Sequence, residues 1–202
     1  MNDHPAIGVS DSGVRIEDLL SSRDFSSRRP REQRAPDREV RAVERLRNQI
    51  FESSTSALQE LVQIAVDFCD ADSAGVSLEE ANDNGDSHFR WIAVAGSFAR
   101  YLHGTTPRFY SPCGTCIDRG VAQHYQVFDP YYNFLGVSAE PILDGLLIPW
   151  RSDGAQGTLW VVSHRDVDVF DRGDYEFLCK IASFVAKEMN GVRSADDAVK
   201  LP

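Results

Sequence analysis

This chain of 202 residues has no long apolar run. Its longest uninterrupted one, Trp91–Ala95, falls far short of the roughly 20 residues that a membrane-spanning helix needs. Such a helix is therefore excluded. The first residues, Met1–Ser12, carry neither a basic segment nor an apolar one; no secretory signal is readable and a cytoplasmic protein is expected. Basic charge is scarce beyond the N-terminus. Residues 51–202 hold 11 Lys and Arg against 22 Asp and Glu, a balance of −11, whereas residues 1–50 hold 10 Arg against 9 acids, a balance of +1. A region that acidic excludes a nucleic-acid surface there, because phosphate needs a positive field. The one arm that could carry such a contact, Arg28–Arg47, interleaves its arginines with acids, as in Asp37-Arg38-Glu39, and reads as a solvated helix. There is no internal repeat and no phosphate-cradling glycine loop. Cysteine is limited to four residues, with neither a second CxxC nor a close histidine pair to complete a zinc site.

What is present fits a folded globular protein: 42% hydrophobic and 10% aromatic residues. Residues 1–36 are polar, rich in Ser and Arg, and hold Pro30 and Pro36. They read as a disordered tail, since so polar a segment cannot bury enough surface to offset its ordering entropy. Val14–Leu20 is the exception, as a short docking helix. A helical pattern begins at Asp37, a good N-cap. Val40, Val43, Leu46 and Ile50 recur at spacings of three and four, so residues 37–56 read as an N-terminal helix with a seam suited to dimerisation. Ser53–Ser56 interrupts the pattern before Leu58, Leu61, Ala65 and Phe68 continue it.

Residues 57–191 read as the main domain and 192–202 as a second tail. Ser73–Glu80 and His88–Ala95 have strand character and flank Asn84-Gly85, a strong hairpin signal. A short helix, Ser97–Leu102, leads into an irregular stretch to about Ala139, with a strand at Gln126–Phe128. Strands resume at Gly145–Trp150 and Thr158–Ser163 around Asp153-Gly154. A helix from Asp171 to Met189 closes the domain, with Gly191 as its stop. Short connections imply an antiparallel sheet. The fold class is α+β, with the two terminal helices on one face and the long loop covering a ligand-sized space on the other.

Within that loop, Cys113-Gly-Thr-Cys116 is the most pointed motif. It reads three ways: a structural turn shaped by Pro112 and Gly114, a redox dithiol or ligand contact, or half of a metal site with His103 and His124. Thiols at the start of a helix are expected to have lowered pKa values. The aromatic residues of irregular segments, Tyr101, Phe109, Tyr110, Tyr125 and Tyr131, are pocket candidates. Trp91, Trp150 and Trp160 fall on strands and read as core. Arg108 and Arg119 either fork an anionic ligand or form salt bridges with one of the many acids of this domain. The candidate site is thus Tyr101, Arg108, Tyr110, Cys113, Cys116, Asp118, Arg119, His124 and Tyr131, with no metal and no identified cofactor.

Four stretches resemble the GAF domain family of small sensory modules: Phe68–Ser77, Phe89–Ala95, Leu146–Trp150 with Gly157–His164, and Phe170–Leu178. The last, an acidic helix start after Phe, is typical of that family's final helix. The resemblance covers about residues 45–190 and implies a PAS-like antiparallel sheet. It further implies a non-catalytic sensor of a small molecule or of redox state, acting as a homodimer on a separate output protein such as a histidine kinase or transcription regulator. Some family members reduce free methionine sulfoxide and share the Cys-Gly-Thr step, which makes a thiol-dependent reductase using Cys113 and Cys116 the alternative. Those enzymes need a further cysteine in the stretch matching Phe134–Leu143, and none stands there. Covalent tetrapyrrole binding in relatives uses a cysteine followed by His; here Gly114 and Ile117 follow instead.

Overall fold

The computed structural model describes residues 20–24, 37, 40–42, 44–45, 54–81, 85–127 and 129–199. The elements run β1 (Leu20–Asp24), α1 (Ser54–Cys69), β2 (Ser73–Ala81), β3 (Ser87–Gly96), a 3-10 helix (Ser97–Tyr101), β4 (Thr105–Pro107), α2 (Pro112–Arg119), β5 (Gln123–Val127), α3 (Asp129–Leu135), β6 (Ile142–Ser152), β7 (Ala155–Ser163) and α4 (Arg172–Val199). The strands form one sheet in the order β1-β5-β6-β7-β2-β3-β4, antiparallel at every junction. The α+β class and the antiparallel sheet are as the sequence predicts. No helix among the described residues is long and apolar enough to cross a membrane.

Alternation along the central strands divides the interior in two. Ala93, Ala95, Leu146, Ile148, Leu159 and Val161 belong to one buried cluster together with the apolar faces of α1 and α4. Their neighbours Val94, Leu147, Trp160 and Val162 belong to a second cluster with α2 and α3. Both terminal helices therefore share one face, and Phe68 of α1 stacks on Phe177 of α4 with ring centroids 3.6 Å apart. At the start of α4, Asp171 and Asp174 cap each other's backbone: each carboxylate accepts from the other's N–H, at 2.9 and 3.0 Å.

Three boundaries differ from the sequence reading. Leu20–Asp24, placed there in the polar tail, adds as an edge strand beside β5, with Ser22 opposite Tyr125. Edge pairing runs through backbone groups and needs no apolar face. The strand read at Gln126–Phe128 starts earlier, at Gln123. Gly191 does not stop α4, which continues to Val199 through the segment read as a tail; a mid-helix glycine costs only about 1 kcal/mol relative to Ala. The arm ahead of α1 is helical at Asp37, Val40–Ala42 and Glu44–Arg45. There Arg45 bridges to Glu60 and Asp67 of α1, each at 2.6 Å. Val43, Leu46 and Ile50 of the dimerisation seam lie outside the described residues, as does most of Val14–Leu20.

Two glycines let aromatic rings lie flat on the sheet. Gly75 on β2 stands opposite Trp160 on β7, and a Cβ there would meet the indole at 2.2 Å. Gly145 on β6 stands opposite Tyr125 on β5, with the same 2.2 Å approach to the phenol ring. Gly75→Ala should therefore lower stability by about 1–3 kcal/mol through overpacking, read by urea denaturation; an unchanged midpoint would contradict the close packing.

A second expectation concerns acid. Arg90 grips Glu80 with two hydrogen bonds, 2.8 and 2.5 Å, and this contact, with His88 a lesser contributor, holds the Glu80 carboxyl below its ordinary value of 4.5. The folded state thus binds that proton less tightly than the unfolded chain. The pair's stabilisation is complete above pH 4.5 and is lost as pH falls through the lower folded value. The Tm gap between wild type and Glu80→Gln should be full at pH 7 and shrink below pH 4.5; an equal gap at pH 3 would contradict it.

Candidate functional site

The second buried cluster does not fill its space. A cavity of about 370 Å³ lies between the sheet and the α2–α3 layer, at the lower end of the range of about 300–1,000 Å³ for small-molecule sites. Trp160, Val162 and Tyr125 form its floor, Trp91, Phe98 and Tyr101 one wall, and Tyr131, Tyr132 and Leu135 the roof. Trp91 packs against Trp160 at 4.9 Å between centroids, and Phe98 meets Tyr101 edge-on at 5.3 Å. The lining residues of this cavity include no Asp, Glu, Lys, Arg or His.

Polar ties hold the cover in place. After Gly136, at φ 67°, residues 137–139 line the cavity. Tyr101 donates its hydroxyl to the Ser138 carbonyl at 3.4 Å, Tyr132 donates to the Glu140 carbonyl at 2.7 Å, and His164 Nδ1 bonds the Pro141 carbonyl at 2.8 Å. The cover therefore rests on hydrogen bonds to its backbone rather than on collapse into the space beneath it. Three lining residues carry a fully buried polar atom with no hydrogen-bond partner among the described residues, Trp91 Nε1, Thr106 Oγ1 and the Tyr131 hydroxyl, and none of these atoms is open to the cavity. A buried donor or acceptor left so costs about 1–3 kcal/mol.

The CxxC motif occupies α2, whose caps explain it. Ser111 is the N-cap and its Oγ accepts from the Gly114 N–H at 3.0 Å. Pro112 opens the helix, and Gly120 closes it in the left-handed conformation. Gly114 is required by contact, since a Cβ would lie 2.1 Å from the Arg108 carbonyl oxygen. Cys113 lines the cavity. Its thiol donates to Ser77 Oγ at 3.7 Å and accepts from Thr158 Oγ1 at 3.1 Å. Trp160 Nε1 donates to the same Ser77 oxygen at 3.0 Å. Cys116 is fully buried and donates to the Val121 carbonyl at 3.5 Å. The expectation of lowered thiol pKa values is overturned. Burial pushes the Cys113 thiol up and the Cys116 thiol further up, with Cys113 adding to the latter. Desolvation outweighs the helix N-terminus. All four cysteines are free.

Of the nine residues singled out in the sequence, Tyr101, Cys113 and Tyr131 come together at the cavity, and the other six stand elsewhere. Arg108 bridges Glu79 at 2.9 Å and Asp118 at 2.5 Å, so its guanidinium and the Asp118 carboxylate hold α2 to β2. Arg119 bonds the Gln123 side chain at 2.6 Å. His124 pairs with Asp144, whose other oxygen receives the Val169 and Phe170 N–H groups. Tyr110 packs edge-on against Phe134. Of the other aromatic candidates, Tyr125 lines the cavity while Phe109 is 72% exposed. Trp91 and Trp160, read as core, line it too, whereas Trp150 packs on the helix side. Among the described residues no three His, Cys, Asp or Glu side chains gather as a metal-holding group.

The sequence matches no protein-family model and no curated protein. Solved structures do match. The GAF domain of a phosphoenolpyruvate-protein phosphotransferase from Acinetobacter superimposes with a TM-score of 0.58 at 14% identity, covering 80% of this chain and 96% of that one. A free methionine-R-sulfoxide reductase from Neisseria meningitidis, in complex with its substrate, gives 0.59 at 17%, covering 82% and 98%. The phycoerythrobilin-bound GAF domain of a cyanobacterial phytochrome gives 0.56 at 10%, covering 80% and 100%. Over about four fifths of its length this chain thus has the α+β fold of the GAF domain.

Proposed function

We propose that this protein is a non-catalytic GAF-type sensor that binds a small organic molecule in the aromatic cavity and passes its occupancy to the terminal helices. The carrying observation is the cavity itself, apolar and roofed by polar ties. A route to the helices exists in Gln59 of α1, whose side chain donates to the Val94 carbonyl on β3 at 2.9 Å. Val94 packs in the cavity-side cluster. A ligand that biases two arrangements of these strands therefore biases α1 as well. A homodimer joined through the helical face, acting on a kinase or transcription regulator, would convert that bias into output.

Thiol chemistry at Cys113 and Cys116 is the second reading, supported by Cys113 lining the cavity. Both thiols are raised by burial, the opposite of activation, and no cysteine stands in 134–143.

Native mass spectrometry of the protein purified from its own host should show an added organic mass, and Ala139→Phe, which adds a ring to the cavity lining, should abolish it. A bare mass for both proteins would speak against the sensor reading. In the folded protein, Cys113 and Cys116 should stay unmodified by Ellman's reagent at pH 7 and react once urea unfolds the chain; prompt modification of either at pH 7 would favour thiol chemistry instead.

A further inference from the structure

The walls of the cavity restrict what it can hold, granted that it binds a ligand as proposed above. We propose that this ligand is an organic cation of the quaternary ammonium class, seated on the ring faces that floor the cavity and held there without a direct salt bridge.

Three observations carry this. First, the floor presents ring faces rather than edges. A Cβ at Gly75 would lie 2.2, 2.6 and 2.8 Å from three contiguous atoms of the Trp160 indole, and one at Gly145 would lie 2.2, 2.5 and 2.7 Å from three contiguous atoms of the Tyr125 ring. Distances so nearly equal describe an approach over a face. Both rings line the cavity, so each keeps one face on the sheet and turns the other toward the cover. A ring face is the negative end of the aromatic quadrupole, and indole is the best such surface for a cation. Second, the charge around the cavity is acidic. No Lys, Arg or His lines it. Burial above all pushes the Tyr125 and Tyr132 hydroxyls up, keeping them neutral; Asp144 adds to the first shift, Asp129 and Glu140 to the second. The nearby arginines are engaged, Arg108 by Glu79 and Asp118, and Arg100 by Glu140 at 3.8 Å. These carboxylates outnumber the two arginines, and the chain's net charge of −10 has the same sign. That field favours a cation and opposes an anion. Third, the lining has little to offer an N–H donor. The Tyr101 and Tyr132 hydroxyls are spent on carbonyls of the cover, and the buried polar atoms of Trp91, Thr106 and Tyr131 are closed to the cavity. A primary ammonium brings three donors that need acceptors. A quaternary nitrogen brings none, and it spreads its charge over apolar methyl groups, which lowers the cost of leaving water.

The test compares two probes of one shape by calorimetry on the full chain: trimethylphenylammonium and its uncharged isostere tert-butylbenzene. The ammonium should bind about tenfold more tightly. Raising the ionic strength from about 0.05 to about 0.5 M should reduce that advantage about threefold, since part of it comes from screened charges. Trp160→Leu removes a floor ring; the affinity of both probes falls with it, and the ratio between them should fall about fivefold. Should that variant fold poorly, biosynthetic replacement of tryptophan by 5-fluorotryptophan keeps the ring shape while drawing charge from its faces, and should lower the ratio about threefold. If tert-butylbenzene binds as tightly as the ammonium, if neither probe binds, or if fluorination leaves the ratio unchanged, the assignment to a cation is wrong. The sensor reading is judged separately, on the native mass of the host-purified protein. An added mass that proves to be an uncharged or anionic compound spares that reading and overturns the cation alone; a bare mass overturns both.

Discussion

A strand sends alternate side chains to opposite faces, and in this protein both faces of the central strands are buried. Every residue of β3, β6 and β7 in that region therefore answers to one of two different interiors. On the helix side the demand is close approach, met by Ala74, Ala93 and Ala95 beneath the aliphatic and aromatic stripes of α1 and α4. On the cavity side the demand is a platform of large rings, and a ring can lie flat only where the opposite residue has no side chain. Gly75 beneath Trp160 and Gly145 beneath Tyr125 meet that demand. The cavity follows from this arrangement. Rings pinned flat on glycines, under a cover suspended by Tyr101, Tyr132 and His164, leave a gap that neither layer can close without breaking hydrogen bonds.

Charge is arranged to stay out of that gap. Arg90 is held by Glu80, Arg108 by Glu79 and Asp118, and Arg165 by Asp72. Asp144, fully buried, is satisfied by His124 and two backbone N–H groups at the entrance to α4. A buried carboxylate without such partners would be prohibitive; with them it fixes the loop that precedes the last helix. The arginines that looked suited to an anionic ligand are thus structural ties between elements. An acidic chain has partners to spare for them.

How much of this the sequence disclosed varies with the kind of signal. The hairpin strands and the final helix were legible because alternation and helical spacing are strong over many residues, as in His88–Ala95 and Phe177–Val185. Leu20–Asp24 was not, because Leu-Ser-Ser-Arg-Asp carries no apolar alternation and its pairing is written only in the backbone. At the site, Tyr101 and Tyr131 stood out by lying in irregular segments. Trp91 and Trp160 were hidden by lying on strands, where an aromatic ordinarily means core. The clue that separates them from Trp150 is the face: Trp160 alternates with Leu159 and Val161, which point to the helices, whereas Trp150 shares their side. The parity was readable, but which parity faces a cavity was not, since that depends on α2 and α3 stopping short. The CxxC spacing misled for a related reason. A helix N-terminus lowers a thiol pKa only where water or charge remains nearby, and sequence spacing carries no information about burial.

The same alternation that separates the two interiors also joins them. Trp160 on the cavity floor is covalently flanked by Leu159 and Val161 in the helix-side core, and its indole is tied through Ser77 to Cys113 on α2. A ligand that displaces the indole must either bend β7, moving Leu159 and Val161 against α4, or break the Ser77 contact and release α2. Close-packed interiors respond to such demands by switching between discrete packings rather than by yielding smoothly. β3 offers a parallel path, because the Val94 carbonyl holds Gln59 of α1 while the Val94 side chain packs with the cavity cluster. A cavity walled by strands of this kind cannot change its contents without consequence on the far side of the sheet. The coupling between the two interiors is supplied by the pleat of the strands themselves.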